Sequence, residues 1–217
     1  MLISKMIFDD TKIFANEDVF SNGYALHQAV WALFADSPDR ERDFLYRLDY
    51  VEKIPLVYTV SKRKPQNSKG IWNIESKEYL PQVKTGLHLG FTVRINPVRT
   101  SVIDGKRHDV VMDAKYKNRK TEQGNAATIQ ELVCGAGRKW LEDRSEKNGF
   151  KMVQFRADGY QQVQFYKTKG GNPIRYSTLD VTGVLEVTTP DVFTDVLFNG
   201  LGSAKGFGCG LMLVRKI

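Results

Sequence analysis

Cysteine is scarce in this sequence, with two in 217 residues. Cys134 and Cys209 stand far apart and outside any metal-ligand spacing. That excludes a disulfide framework and a zinc knuckle, and a reducing compartment, the cytoplasm, is the simplest home. Histidine is nearly as rare: His27, His88 and His108 are the three. No His-x-His pair and no Asp/Glu cluster at ligand spacing accompanies them, which argues against a two-metal nuclease site, so neither metal nor cofactor is expected. Long apolar runs are missing too, and no segment reaches the length that spans a bilayer. The opening MLISKMIF carries Lys5 inside its apolar stretch and is followed by Asp9 and Asp10, which is not a secretory h-region. Acidic residues fall short of basic ones, 25 against 32, leaving a net charge of +7. Such a surplus favours a polyanionic partner or an acidic membrane surface.

What is present supports a globular chain. Apolar residues make up 41% and aromatic residues 11%, enough to build the core of one large or two small domains. Glycine is concentrated near the end, where GLGSAKGFGCG holds five of the eighteen. A Walker loop needs Gly-Lys followed by Ser or Thr, and Lys205 is followed by Gly206. A dinucleotide fingerprint needs a helix next, whereas LMLV near the chain end reads as a buried strand. The stretch is therefore a loop between a helix and a final strand. Thr189 can cap that helix with Pro190 in its first turn, and Val192, Phe193, Val196 and Leu197 recur at helical spacing until Asn199-Gly200. A tight turn alone would use such glycines, but Lys205 at the centre tilts the reading towards an anion.

From the start, residues 2–8 read as a strand and 9–22 as a polar connector with capping chemistry at Ser21-Asn22-Gly23. GYALHQAVWALF reads as a helix with Leu26, Ala29, Val30 and Leu33 on one face. Tyr24, Gln28 and Trp31 fall on the other, with His27 at the border. Strands are predicted at 43–51, 55–60 and 86–95, where Leu87, Leu89, Phe91, Val93 and Ile95 share one face. Residues 61–82 read as a basic loop with a short irregular element. The first part is thus β-α-β-β-(α)-β, a ferredoxin-like order closed by Asn96-Pro97. Asp104-Gly105 marks a hairpin turn with arms at 101–103 and 110–112, projecting Lys106 and Arg107. KYKNRKTEQGN reads as polar and flexible. A helix from Ile129 to about Arg144 follows, weakened by Gly135 and Gly137, then strands at 150–156, 160–167 and 176–187. The whole is an α+β chain of two tandem ferredoxin-like (RRM-like) domains, 1–98 and 99–217, with a glycine-rich loop near the C-terminus. Element order alone supports the duplication, since no sequence repeat marks it.

The GYALHQAVWALF helix, the FTVRINPVRT strand end, the DGKR turn and the terminal GLGSAKGFGCGLMLV, in this order, resemble the CasE family. These are the type I-E CRISPR-associated endoribonucleases that cut precursor CRISPR RNA. The resemblance covers both ends and the middle of the chain, but not residues 9–22, 61–82 and 116–128. It implies two ferredoxin-like domains, a site built on Tyr24 and His27, and a repeat RNA stem-loop as substrate. It also implies that the protein stays on its product with other subunits of the type I-E surveillance complex, and it matches the family's Arg-x-Asn-Pro at Arg94, Asn96 and Pro97.

The chemistry of the residues agrees. Positions i and i+3 on a helix are neighbours, so Tyr24 and His27 can converge on one reacting atom. Metal-free RNA cleavage needs proton transfer from the 2′-OH and to the 5′-oxygen, with positive charge on the phosphate, and histidine serves near neutrality. Lys106 and Arg107, fixed on a turn, can enter the phosphate-lined groove of an A-form stem. With Arg94, Arg99, Arg138, Lys139, Gly202, Lys205 and Gly206 they form the candidate RNA-contacting set. His88 and His108 read as ordinary surface residues. A non-catalytic RNA-binding or structural subunit of a ribonucleoprotein is the alternative. As an RNA-binding module it would be expected to show paired base-stacking aromatics on its strands, and FTVRI offers a single aromatic, whereas a structural subunit is compatible with all of these features.

Overall fold

The structure, a computed structural model, describes residues 1–9, 11, 23–35, 41–120, 127–166 and 171–217. The predicted capping chemistry at Ser21 and Asn22 lies outside them. Two four-stranded antiparallel sheets organise the chain. The first comprises β1 (Leu2–Phe8), β2 (Phe44–Val51), β3 (Ile54–Ser61) and β4 (Trp72–Glu78) in the order β2-β3-β1-β4, with helix α1 (Gly23–Ala32) between β1 and β2 in the chain. The helical period places Leu26, Val30 and Leu33 on the buried side of α1, where they join Met6, Phe8, Phe44, Tyr46 and Val57 in one core. Strand β4 corrects the irregular element expected within 61–82. Only Trp72 is fully buried along it, Ile74 is partly buried, and its other side chains are charged or polar, so it carries little apolar alternation to read.

The second sheet contains β5 (His88–Ile95), β8 (Phe150–Tyr166), β9 (Pro173–Val187) and β10 (Met212–Lys216) in the order β10-β5-β9-β8. Between β5 and β8 the chain forms a small hairpin, β6 (Val98–Thr100) with β7 (Arg107–Asp109), and helices α2 (Val110–Lys120) and α3 (Ile129–Ser145). Helix α4 (Pro190–Asn199) precedes the glycine loop and β10. In both sheets the unit's third strand lies between its first and second, and its fourth flanks the first, the ferredoxin-like arrangement. β5, read as closing the first unit, therefore opens the second: both of its neighbours, β9 and β10, come from the C-terminal half. The expected 1–98 unit thus loses this strand, and β4 takes the fourth place.

Leu89, Phe91, Val93 and Ile95 all face the second core, as their alternation requires, against Val133, Trp140 and Leu141 of α3 and Phe193 and Leu197 of α4. Helix α3 starts with a capping box in which Glu131 N donates to Thr128 Oγ1 and Thr128 N donates to Glu131 Oε2. Its Gly137 is a packing device, because a Cβ there would lie 2.6 Å from Leu179 Cδ2 and hold the helix off β9. Thr189 stands at the N-cap of α4 without the side-chain hydrogen bond expected of it, though Pro190 does occupy the first turn.

The basic hairpin is also shifted. Residues 98–100 pair with 107–109, and 110–112 begin α2, which absorbs the lysine-rich start of the segment read as flexible. Asp109 explains the switch: its Oδ1 accepts from Val111 N and Met112 N and caps the helix. The helix is hard to read because Val111 is its one buried residue.

The seam between the sheets is partly apolar, with Leu45 and Val60 of the first meeting Leu211. It is also ionic. Arg94 donates through Nε and Nη2 to both Asp180 oxygens, at 2.9 and 2.7 Å, and through Nη1 to Leu48 O at 2.7 Å. Arg47 binds Asp49 at 2.8 Å and reaches Asp180 at 3.5 Å. No described helix is long and apolar enough to cross a membrane.

Candidate RNA-cleavage site

Tyr24 and His27 lie one turn apart on α1, their ring centroids 6.2 Å apart, both half-buried. The helix alone does not make the site. Phe207 of the glycine loop places its ring 5.3 Å from His27, and Trp31 and Tyr46 flank the imidazole at 5.9 and 6.4 Å. Strands β8 and β9 run on beyond the sheet as a long hairpin, which brings Phe165 to stack on Tyr24 at 6.1 Å. Tyr176 stacks on Phe207 at 5.2 Å. The imidazole is therefore enclosed by aromatics from α1, β2 and the glycine loop, with β8 and β9 backing them. Sequence reading found only the local pair, because the other rings come from distant segments.

The glycine loop is fastened on two sides. Gly210 N donates to Arg94 O at 2.7 Å, and Leu201 N donates to Gly210 O at 2.9 Å. Tyr46 Oη donates to Gly206 O at 3.1 Å, and burial keeps that phenol far above its ordinary pKa, so it remains a donor. Gly206 faces the imidazole, since a Cβ there would sit 4.0 Å from His27 Cε1. Gly202 instead faces the Trp140 ring, at 3.0 Å from a built Cβ, and its φ of +79° suits glycine. Lys205 donates to Asn199 O at 2.7 Å, and its pKa is lowered by burial and then by the charge of Arg42. Arg42, which composition gave no reason to single out, lies just ahead of β2, two and four residues before Phe44 and Tyr46.

The other candidates are spread over the second unit. Lys106 and Arg107 are exposed at the hairpin turn, which is held by Ser101 N donating to Lys106 O and by Lys106 N donating to Asp104 Oδ1. Hydrogen bonding of the Asp104 carboxylate to the Ser101 side chain, and then to Lys106 N, lowers its pKa. Arg99 pairs with Asp113 at 3.1 Å. Arg138 and Lys139 lie on the exposed side of α3 with i+4 partners Glu142 and Asp143. Arg94 is not on this surface: its guanidinium is taken up by the seam. The hairpin is braced on the β8–β9 extension, because Asp109 Oδ2 accepts from Tyr160 Oη at 2.9 Å and from Ser177 Oγ. An open cavity of about 510 Å³ lies there, lined by Val98, Asp109, Gln162, Gln164, Arg175 and Ser177.

Two ferredoxin-like units, a histidine walled in by a glycine-rich loop and a basic hairpin braced on the same strands describe a nucleic-acid-handling class of protein. The chain belongs to the CRISPR associated protein family, which it matches over residues 1–216. It is 27% identical over 199 residues to the CRISPR system Cascade subunit CasE of Escherichia coli K12, covering 89% of this chain and 92% of that protein. It is 25% identical over 231 residues to the CRISPR-associated endoribonuclease Cse3 of Thermus thermophilus, covering 99% of each. Among solved structures, CRISPR endoribonuclease Cse3 bound to a 19-nucleotide RNA matches with a TM-score of 0.76 at 22% identity, covering 99% of this chain and 100% of that one. The resemblance to CasE read from the sequence is borne out, and so are the two ferredoxin-like domains.

Proposed function

We propose that this chain is a metal-independent endoribonuclease that cuts precursor CRISPR RNA within repeat stem-loops. It then stays on the product as a subunit of the type I-E surveillance complex, in the cytoplasm. The observation that carries the reading is the convergence of Tyr24 and His27 beneath the glycine loop, in a chain of this family. Its domains divide between β4 and β5, so that the Tyr/His helix belongs to the first and the basic hairpin and glycine loop to the second.

In this reading the 2′-oxygen attacks the adjacent phosphorus, the bond to the 5′-oxygen breaks, and the products are a 2′,3′-cyclic phosphate and a 5′-hydroxyl. His27 transfers a proton in that exchange, and Tyr24 orients the reacting nucleotide. Lys106 and Arg107 grip phosphates of the stem, and Lys205 places positive charge by the cut. The aromatics packed around the half-buried imidazole limit its contact with water, which strengthens the polar contacts made there. The test is a denaturing gel of end-labelled repeat RNA in excess chelator. Wild type yields the cyclic-phosphate product and His27→Ala does not. Cleavage that disappears with chelator and returns with magnesium overturns the mechanism; binding without any cleavage leaves a ribonucleoprotein subunit.

A further inference from the structure

Arg42 presents a cost that the fold does not explain. It occupies the extended segment entering β2, in alternating step with Phe44 and Tyr46, whose rings lie against Trp31 and His27 of α1. Its Nη1 is buried and meets no hydrogen-bond acceptor among the described residues. Among the ion pairs of the described residues, neither Arg42 nor Lys205 has a carboxylate partner. Lys205 gives one bond to a neutral carbonyl, that of Asn199. Burial lowers the pKa of both cations, and the Arg42 charge lowers that of Lys205 further. The Tyr46 phenol, two steps along the same strand face from Arg42, donates to Gly206 O, and Gly206 follows Lys205 in the loop and faces His27, so the face of β2 that carries Arg42 meets the short stretch of loop that carries Lys205. Two partly buried like charges without a counter-ion destabilise a fold, and an unbonded guanidinium nitrogen adds its desolvation cost.

We propose that Arg42 and Lys205 form an anion clamp beside His27 that holds the non-bridging oxygens of the scissile phosphodiester. The role in cleavage rests on the endoribonuclease reading above; the anion site does not. A guanidinium offers paired donors in a plane and suits two phosphate oxygens, while the ammonium adds a point charge. Along the reaction the 2′-O–P bond forms as the P–O5′ bond breaks. The 2′-OH proton leaves to a base, and a proton reaches O5′. Between these events the non-bridging oxygens gain a negative charge, so cations fixed beside them stabilise the transition state more than the ground state.

Two measurements test this. Without RNA, thermal unfolding is followed in inorganic phosphate and in chloride at equal ionic strength. Wild type gains stability in phosphate over chloride, and Arg42→Gln and Lys205→Gln lose that gain. In chloride, Arg42→Gln unfolds at or above the wild-type temperature because a repulsion has been removed. With repeat RNA at saturation, Arg42→Gln slows single-turnover cleavage about 10²- to 10³-fold while affinity changes little, and Arg42→Lys recovers part of the rate. Equal phosphate stabilisation in wild type and variants overturns the clamp. So does wild-type cleavage by Arg42→Gln, or a variant that is simply less stable in chloride. If wild type fails to cleave at all, the endoribonuclease reading falls, and the phosphate arm still decides the anion site.

Discussion

Replacing Arg94 with methionine separates a seam residue from an RNA contact. The substitution keeps most of the side-chain volume and removes three hydrogen bonds, two to Asp180 and one to Leu48 O. Breaking a buried ion pair from one side costs about 3–5 kcal/mol, because the other charge is left desolvated. The Arg94 and Asp180 side chains are 24% and 29% exposed, and Arg47 stays within 3.5 Å of Asp180, so water and a second cation recover part of that. A loss of about 2–3 kcal/mol is the resulting expectation. For a chain of this size it lowers the unfolding midpoint by roughly 4–12 °C. Asp180→Asn alone destabilises similarly, and the double variant is less unstable than the two losses added, since no unpaired charge remains. The assay is thermal unfolding of the four proteins followed by RNA affinity at a temperature where all are folded. Arg94→Met should bind repeat RNA within about threefold of wild type, the scale of a residue outside the interface. An unchanged midpoint with RNA binding weakened tenfold or more would refute the seam assignment and restore Arg94 to the RNA surface.

Three other outcomes follow from the site. His27→Ala should slow single-turnover cleavage about 10²- to 10⁴-fold with little change in RNA affinity; cleavage at the wild-type rate removes His27 from the mechanism. Lys106→Ala with Arg107→Ala should weaken binding and reduce the salt slope by about two units, while the rate at saturation holds, as measured by titrations from low to high salt. An unaltered slope would mean that the hairpin does not touch phosphate. Gly206→Ala should be tolerated because the added methyl only reaches van der Waals distance of His27; Gly206→Val should displace the imidazole and cost up to about 10²-fold in rate with the unfolding midpoint kept. Full activity in the valine variant would show that the loop does not position His27.

The elements legible in the sequence are those whose pattern is local and strongly apolar. α1 shows its Leu26, Val30 and Leu33 stripe, and β5 alternates over Leu89 to Ile95 because one face packs against α3 and α4. Weakly buried elements escape, β4 as a strand with Trp72 alone fully buried and α2 as a helix with Val111 alone. Sheet membership escapes for a different reason. β5 has the same periodicity whichever sheet receives it, and only its pairing with β9 and β10 decides. The site divides in the same way. Tyr24 and His27 are three residues apart and visible, whereas Tyr46, Phe165, Tyr176 and Phe207 reach them through tertiary structure. Arg42 carried no signal beyond its charge. Its neighbour Lys205 stood out only because glycines surround it.

Placing the proposed cleavage site across both units has a mechanical consequence. The imidazole comes from the first unit, while Phe207, whose ring lies 5.3 Å from it, comes from the second. Relative movement of the sheets would open that enclosure. The Arg47, Asp49, Arg94 and Asp180 network resists such movement beside the Leu45, Val60 and Leu211 contact. Gly210 N donates to Arg94 O, so the loop that carries Phe207 is anchored to the strand that carries the network. Asp109 extends the brace outward, joining the root of the basic hairpin to Tyr160 and Ser177 on the strands that present Phe165 and Tyr176. In the proposed function, grip on the stem and enclosure of the cut are thereby referred to one connected frame. A nuclease that must cut a repeat at a single bond needs that arrangement, because a displacement of about 1 Å at the reacting atoms can cost 10²-fold in rate.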